Sequence, residues 1–389
     1  MKKKYIIFLI ITLVLLVVLI TSFNYFKTTN TYIDDSVNNQ TKITKGISMN
    51  LEQTAGAGDY KTVTRSSWPT EGYKFNTELS RCENGGEINW DDINKKVIVT
   101  GNVSDKCYVY FDIWIPSIAA YCTSGTDLAT CVKNFGDQGP SVSNIYIHNS
   151  ALTNGAGDNS YRYAGANPNN YVCFGSEATT CPDANLFRII GVFGDQAKVI
   201  RAKSVGDQPW HTSHVNNWSS SSLNTYLNGE YLTSLGTLAE KIATTTWKVG
   251  GGDEANISFS VPATAYQYEV GSSASTTTVD KKIGLMYVSD YYYGASPSAW
   301  KLVGYNESDA TKDYRAATST NWLYLGSTEW TISRNSGYTY LAFLVNSAGY
   351  VYYSGYVPVS LAVRPSFNLL SSVKYISGSG SMSDPVRIN

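Results

Sequence analysis

Residues 186–203, LFRIIGVFGDQAKVIRAK, decide how the largest part of this chain is read. Two runs rich in Ile, Val and Phe flank Gly194 and Asp195, a residue pair suited to a tight reversal, so they predict a β-hairpin. Toward the C-terminus, NNWSSSSLNTYLNG (216–229) predicts a short helix. A serine among 219–221 would be the N-cap, Leu223, Tyr226 and Leu227 would share one face, and Gly229 would be the stop. Strands are expected in KIATTTWKV (241–249), KIGLMYVSDYYY (282–293), WLYLGS (322–327), YLAFLVNS (340–347), YVYYSGYVPV (350–359), LAVRPSFNL (361–369) and PVRI (385–388). One helix among many short strands and Gly/Ser loops gives a mainly β or α+β domain over 186–389.

Working back toward the N-terminus, residues 117–185 are poor in hydrophobic periodicity and carry two cysteine pairs. They read as a disulfide-laced connector in which cross-links substitute for a core. SIAAYCTSGTDLATCVKNF (117–135) can hold one short helix with Asp127 near its start, and Gly155, Gly157 and Asp158 are turn residues. Residues 46–116 alternate in short segments broken by Gly, Asp and Asn, which predicts a small antiparallel β-module. In 96–100 and 107–115 the period is near two, so Val97, Val99, Tyr108 and Tyr110 are expected to face its core, with Trp90 as a plug.

The run Tyr5 to Phe23, YIIFLIITLVLLVVLITSF, has no charge, Gly or Pro. As a helix it would span roughly 28 Å, near the bilayer's hydrocarbon thickness. Lys2, Lys3 and Lys4 precede it, which places the N-terminus in the cytoplasm by the positive-inside bias. Residues 1–23 are therefore expected to be a cytoplasmic stub and single-pass anchor in the lipid bilayer. The polar residues 24–45 would be a stalk, and the rest an extracellular ectodomain at the cell membrane. The run exceeds a signal peptide's apolar segment and no small-residue cleavage site follows, which argues against the cleaved alternative.

The six cysteines lie as neighbours: Cys82 with Cys107, Cys122 with Cys131, Cys173 with Cys181. Spacing alone admits other connectivities, and reduced thiols are the alternative, but export favours oxidation and local pairing is the reading taken. A formal net charge of -1 lacks the positive excess of a nucleic-acid binder, so no nucleic-acid partner is expected. Thirty tyrosines and nine tryptophans suit a β-rich ectodomain.

Two stretches resemble known families. GYKFNTELSRCENGGEINWDDINKKVIVTGNVSDKCYVYFD (72–112) resembles a short module of surface proteins in low-GC Gram-positive bacteria, which implies a β-sandwich-like spacer without activity. RIIGVF, NNWSSSSLNTYLN, GLMYVSD, NWLYLGSTEW, GYVYY and AVRPSFNL together resemble an uncharacterised family of bacterial surface domains. Its architecture is similar to C-type-lectin-like and formylglycine-generating-enzyme-like folds. That resemblance implies a lectin-like C-terminal domain. The chain departs from it in the residues that carry function: no cysteine follows Cys181, and no Glu-Pro-Asn or Gln-Pro-Asp motif appears. Gln208, Pro209 and Trp210 come nearest but lack the carboxylate.

No motif prescribes catalysis. His211 and His214 stand three apart in WHTSH, but Gly206, Asp207 and Pro209 mark a loop and no HExxH is present, so neither a metal nor another cofactor is expected. Asp253 and Glu254 could serve acid–base work but read as solvated loop charge. There is no G-x-S-x-G elbow or phosphate-cradling glycine loop. Arg364, among apolar neighbours, is expected to be a partly buried structural clamp. Trp210 and Trp300, in loops, are the candidates for an exposed sugar-stacking surface. The reading is a membrane-anchored, non-enzymatic surface protein that binds a glycan or a protein. The alternative is a purely structural envelope component, and a glycan-processing enzyme is the least supported class.

Overall fold

The computed structural model describes residues 46–54, 57–64, 68–69, 72–91, 96–100, 105–114 and 117–389. The expected anchor at 5–23 and stalk at 24–45 lie outside them. Among the described residues no helix is long and apolar enough to cross a membrane. The protein is mainly β with few helices, and it divides into two compact units that meet in sequence at Ile115 and Pro116.

The first unit contains β1 (Ile47–Glu52), β2 (Tyr60–Val63), β3 (Tyr73–Phe75), β4 (Arg81–Cys82), β5 (Glu87–Asp91), β6 (Lys96–Thr100) and β7 (Cys107–Ile113). β7 is central: it runs parallel to β1, which pairs with β2, and its other edge takes β3 and β4 antiparallel. β5 and β6 form a separate hairpin. The parallel β1–β7 pair departs from the expected all-antiparallel module. The period-two reading of β7 holds, but its phase is inverted. Cys107, Val109 and Phe111 enter the core, while Tyr108 and Tyr110 lie on the other face beneath the Arg81 guanidinium. Trp90 stacks on Phe75 and meets Phe111 edge-on, in the plug position. Cys82 and Cys107 are bonded, closing β4 onto β7.

The second unit opens with α1 (Leu128–Gly136), which follows Asp127 as N-cap and buries Leu128, Val132 and Phe135. Its strands are β8 (Ile145–Ile147), β9 (Tyr161–Tyr163), β10 (Tyr171–Cys173), β11 (Leu186–Phe193), β12 (Gln196–Arg201), β13 (Asp207–Pro209), β14 (Thr245–Lys248), β15 (Thr278–Lys281), β16 (Ile283–Gly284), β17 (Glu329–Arg334), β18 (Leu341–Val345), β19 (Val351–Tyr356), β20 (Ser360–Ala362), β21 (Ser366–Asn368), β22 (Tyr375–Ser377) and β23 (Val386–Ile388). The nine-stranded sheet runs β16-β21-β12-β11-β10-β23-β22, with β9 on the far end of β11 and β8 beyond it. A five-stranded sheet runs β13-β20-β17-β18-β19, and β14 pairs with β15.

The β11–β12 hairpin is the predicted one, turning at Gly194, whose φ of 63° favours glycine. The pairing of β11 with β12 is bulged between Ile189 and Gly191, and the other edge of β11 takes β10 at its start and β9 at its end. A Cβ at Gly191 would stand 2.2 Å from the Tyr161 carbonyl oxygen, so the β9 contact requires glycine there.

Four further expectations are corrected. The stretch 117–185 is not a separate connector, because β8, β9 and β10 are strands of the same sheet as β11 and α1 packs into the same core. KIGLMYVSDYYY is not one strand: only Ile283–Gly284 pairs, and Val288–Gly294 forms a helix. Asp290, at the third helical position, accepts the Tyr287 N–H at 2.9 Å, a capping interaction that overrides the β-propensity of the aromatics. WLYLGS is a turn, and the strand begins at Glu329. The expected helix begins at Ser222 with Ser221 as its cap, but helical structure runs past Gly229 to Ser234, and Thr233 donates to the Gly229 carbonyl. Here α2 denotes Ser222–Tyr226, α3 Glu254–Ile257, α4 Pro262–Glu269 and α5 Val288–Gly294.

Candidate functional site

The residues singled out in the sequence do not converge. Cys122–Cys131 and Cys173–Cys181 are bonded, so all six cysteines are oxidised in the neighbour pattern. The expected exposure of Trp210 and Trp300 is overturned, since both are buried. Trp210 donates its Nε1–H to the Thr331 carbonyl and meets Trp218 edge-on, while Trp300 donates to the Ala295 carbonyl and packs on Tyr146, His148 and Tyr293. Each indole satisfies its one donor on backbone, and nearby rings cover its faces. Arg364 is buried and forked onto Glu329, at 2.8 and 2.7 Å, with a further bond to the Leu323 carbonyl. Burial pushes the Glu329 carboxyl up, against the pull of the guanidinium.

The two loop histidines take different partners. His211 accepts N–H bonds from Ser213 and Ser222, while His214 meets the Tyr356 hydroxyl. Asp253 caps α3 through the Asn256 N–H. Among the described residues the only trio with metal-ligand spacing is Cys82, Asp105 and Cys107, and its two sulfurs are bonded to each other. That leaves no thiolate to bind an ion.

What the fold does assemble is an aromatic face along β19. The register between β18 and β19 slips by one residue beyond Ala342, so β19 carries one extra residue opposite Phe343. Strict alternation would separate Tyr352 from Tyr353. The bulge instead brings their rings to 5.1 Å, and the side chains of both are partly exposed. Gly304 then fastens the neighbouring loop to the start of β19 by accepting the Val351 N–H at 3.1 Å. A Cβ at Gly304 would stand 2.7 Å from the Ser258 carbonyl and closer still to the Tyr292 hydroxyl, so this approach needs glycine. Tyr305 follows, donating its N–H to the Ser258 carbonyl, and its ring lies 4.8 Å from Tyr350 and 5.8 Å from Tyr352. Phe259, 43% exposed, completes the cluster at 5.2 Å from Tyr353 and 6.2 Å from Tyr305.

One cation is built into this face. The Arg315 guanidinium lies 5.5 Å from the Tyr305 centroid and 5.2 Å from Tyr350, and Asp313, fully buried, holds it from behind. That bond raises the affinity of Arg315 for its proton. Arg315 Nε and Nη2 are used on Asp313 and the Asn306 carbonyl, and among the described residues Nη1 takes no hydrogen bond. Burial raises the Tyr353 pKa. The far end of β19 continues the aromatic surface with Tyr338, Tyr340 and Tyr356, each at least 40% exposed.

Sequence reasoning looked for this surface among the tryptophans. The available signal was the tyrosine run YVYYSGY (350–356), but its facing depends on a bulge that only the pairing with β18 creates. Comparison with known protein families, with curated proteins and with solved structures finds no match to this chain.

Proposed function

We propose that the chain is a single-pass, membrane-anchored surface protein whose second unit is a lectin-like recognition domain that binds a glycan through the β19 aromatic face. The observation that carries the reading is the contact cluster of Phe259, Tyr305, Tyr350, Tyr352 and Tyr353, with ring separations of 4.8 to 6.2 Å and Phe259 open to solvent. Aromatic rings offer flat apolar area at low conformational cost, and the C–H faces of pyranose rings stack on them. The Arg315 guanidinium, beside the Tyr305 and Tyr350 rings, supplies a donor for hydroxyl groups at their edge. Three oxidised cysteine pairs support an exported location, and the apolar run 5–23 supports the anchor. The recognition reading is favoured over glycan processing because Asp290, Glu269 and Glu329 are buried and already paired or hydrogen-bonded.

The test is binding of the detergent-solubilised full chain to a glycan array and to insoluble wall polysaccharide. Phe259→Ala and Tyr353→Ala should each weaken binding by about tenfold or more, since central aromatic anchors carry most of such an interface's energy. Binding that survives both substitutions, or no binding to any glycan, would sink this reading and leave the structural envelope role.

A further inference from the structure

The interior of the second unit holds a lysine and an aspartate in reacting distance. Lys198, on β12, and Asp290, on α5, have side chains only 6% and 3% exposed, and Lys198 Nζ stands 2.5 Å from Asp290 Oδ2. Rings surround the amine: Tyr287, Trp247 and Phe193 have centroids at 4.8, 5.4 and 5.5 Å from Nζ. The Asp290 carboxyl is held from two further sides. Its Oδ2 accepts the Tyr287 N–H at 2.9 Å, and its Oδ1 lies 3.6 Å from Arg162 Nη1. Arg162 in turn is fixed to Asp158 at 2.7 Å.

We propose that Lys198 and Asp290 become joined by an intramolecular amide bond. The ammonium first returns a proton to the carboxylate, giving a free amine and a carboxylic acid. Nζ then attacks Cγ; the oxyanion develops on Oδ1, which faces the Arg162 guanidinium, while the Tyr287 N–H holds Oδ2, the oxygen that becomes the hydroxyl. A second proton passes from nitrogen to a departing hydroxyl, so one C–O bond breaks, one C–N bond forms and water leaves. No oxidant or cofactor enters the balance.

Three features favour this over a persistent ion pair. Low-dielectric surroundings disfavour the charged amine, and burial lowers the Lys198 pKa. Packing on both elements supplies the proximity that makes intramolecular acyl transfer fast. Condensation also removes one buried cation and one buried anion together, leaving Arg162 matched by Asp158.

The experiment is peptide mapping of the full chain after reduction and denaturation, which abolishes an ion pair and leaves an amide intact. Trypsin should fail to cut after Lys198, and mass spectrometry should find one branched peptide joining residues 189–201 to residues 283–301, lighter than their sum by one water. Lys198→Arg, which retains the positive charge, should yield the two peptides separately. Recovery of residues 189–198 and 283–301 from the wild-type chain as unlinked peptides of full mass overturns the proposal, whatever the variant does.

Discussion

Two regions of the second unit exchange the usual roles of inside and outside. Around Arg364 and around Lys198 the interior holds charged groups, while along β19 the surface holds aromatic rings. The interior charges have fixed partners: Arg364 donates to Glu329 and to the Leu323 carbonyl, and Asp290 accepts from Lys198 and from the Tyr287 N–H. The surface rings touch mainly one another, and their hydroxyls and faces reach solvent. Removing an interior partner strands a charge where water cannot follow, whereas removing a surface ring leaves its neighbours wetter but intact. Stability and the proposed recognition are thus assigned to different residues within one fold.

The strongest attempt to break that contrast is Glu329→Ala, which leaves the Arg364 guanidinium buried with only the Leu323 carbonyl. Calorimetric or denaturant unfolding should show a loss of about 3–5 kcal/mol, enough to unfold a marginal domain. Replacing both partners, as Glu329→Leu with Arg364→Met, should cost less than the single change. A double variant that is worse than the single one would mean that the pair stabilises the fold beyond cancelling its own burial.

A smaller effect concerns His148, buried beside Tyr293 and Trp300, with Nδ1 accepting the Ala156 N–H. Burial and the Arg162 charge hold its pKa down to about 2. The folded imidazole stays neutral while the unfolded one takes a proton below about 6.5, so the unfolded state binds more protons and stability falls as pH drops. Between about pH 6.5 and 5, before most carboxylates titrate, this site should contribute a loss approaching 1.4 kcal/mol per pH unit. His148→Gln should flatten that part of a stability–pH profile, and an unchanged slope would contradict the assignment.

The smallest expected change sharpens the comparison from the other side. Phe259→Ala should alter unfolding free energy by no more than about 1 kcal/mol, because its ring is 43% exposed. A drop as large as that of the Glu329 variant would make Phe259 a core residue and remove the aromatic face from consideration as a separable surface.

How far the sequence announced these features depended on how local their causes are. The β11–β12 hairpin was legible because its two Ile-, Val- and Phe-rich runs and its Gly194 turn lie within sixteen neighbouring residues. The three disulfides followed nearest-neighbour order, and Arg364 was recognisable as a charge in an apolar run. Pairing of β10 with β23 was invisible, since no periodicity in either three-residue strand names its partner. The same limit explains the misread residues 117–185, whose strands look weak alone and gain their core only from β11. At α5, aromatic and β-branched composition pointed to a strand, while a single side chain, Asp290, fixed a helix start. Trp210 and Trp300 were misplaced because loop membership does not reveal depth, and the exposed rings were found instead where a bulge rotated Tyr353.

The β10–β23 pairing also constrains the order of events during folding. Cys173 and Arg387 are 214 residues apart in sequence, yet their strands lie side by side, and the Arg387 guanidinium reaches back to the Ser176 and Thr179 carbonyls. While the chain is being made, β10 has only β11 available, and its second edge stays open until the 386–388 segment emerges. Closure of so long a loop is slow, and an unpaired edge is a site for association with other chains. The nine-stranded sheet therefore has a vulnerable interval that ends only with its latest-arriving segment, during which a chaperone that masks strand edges would have its greatest effect on yield.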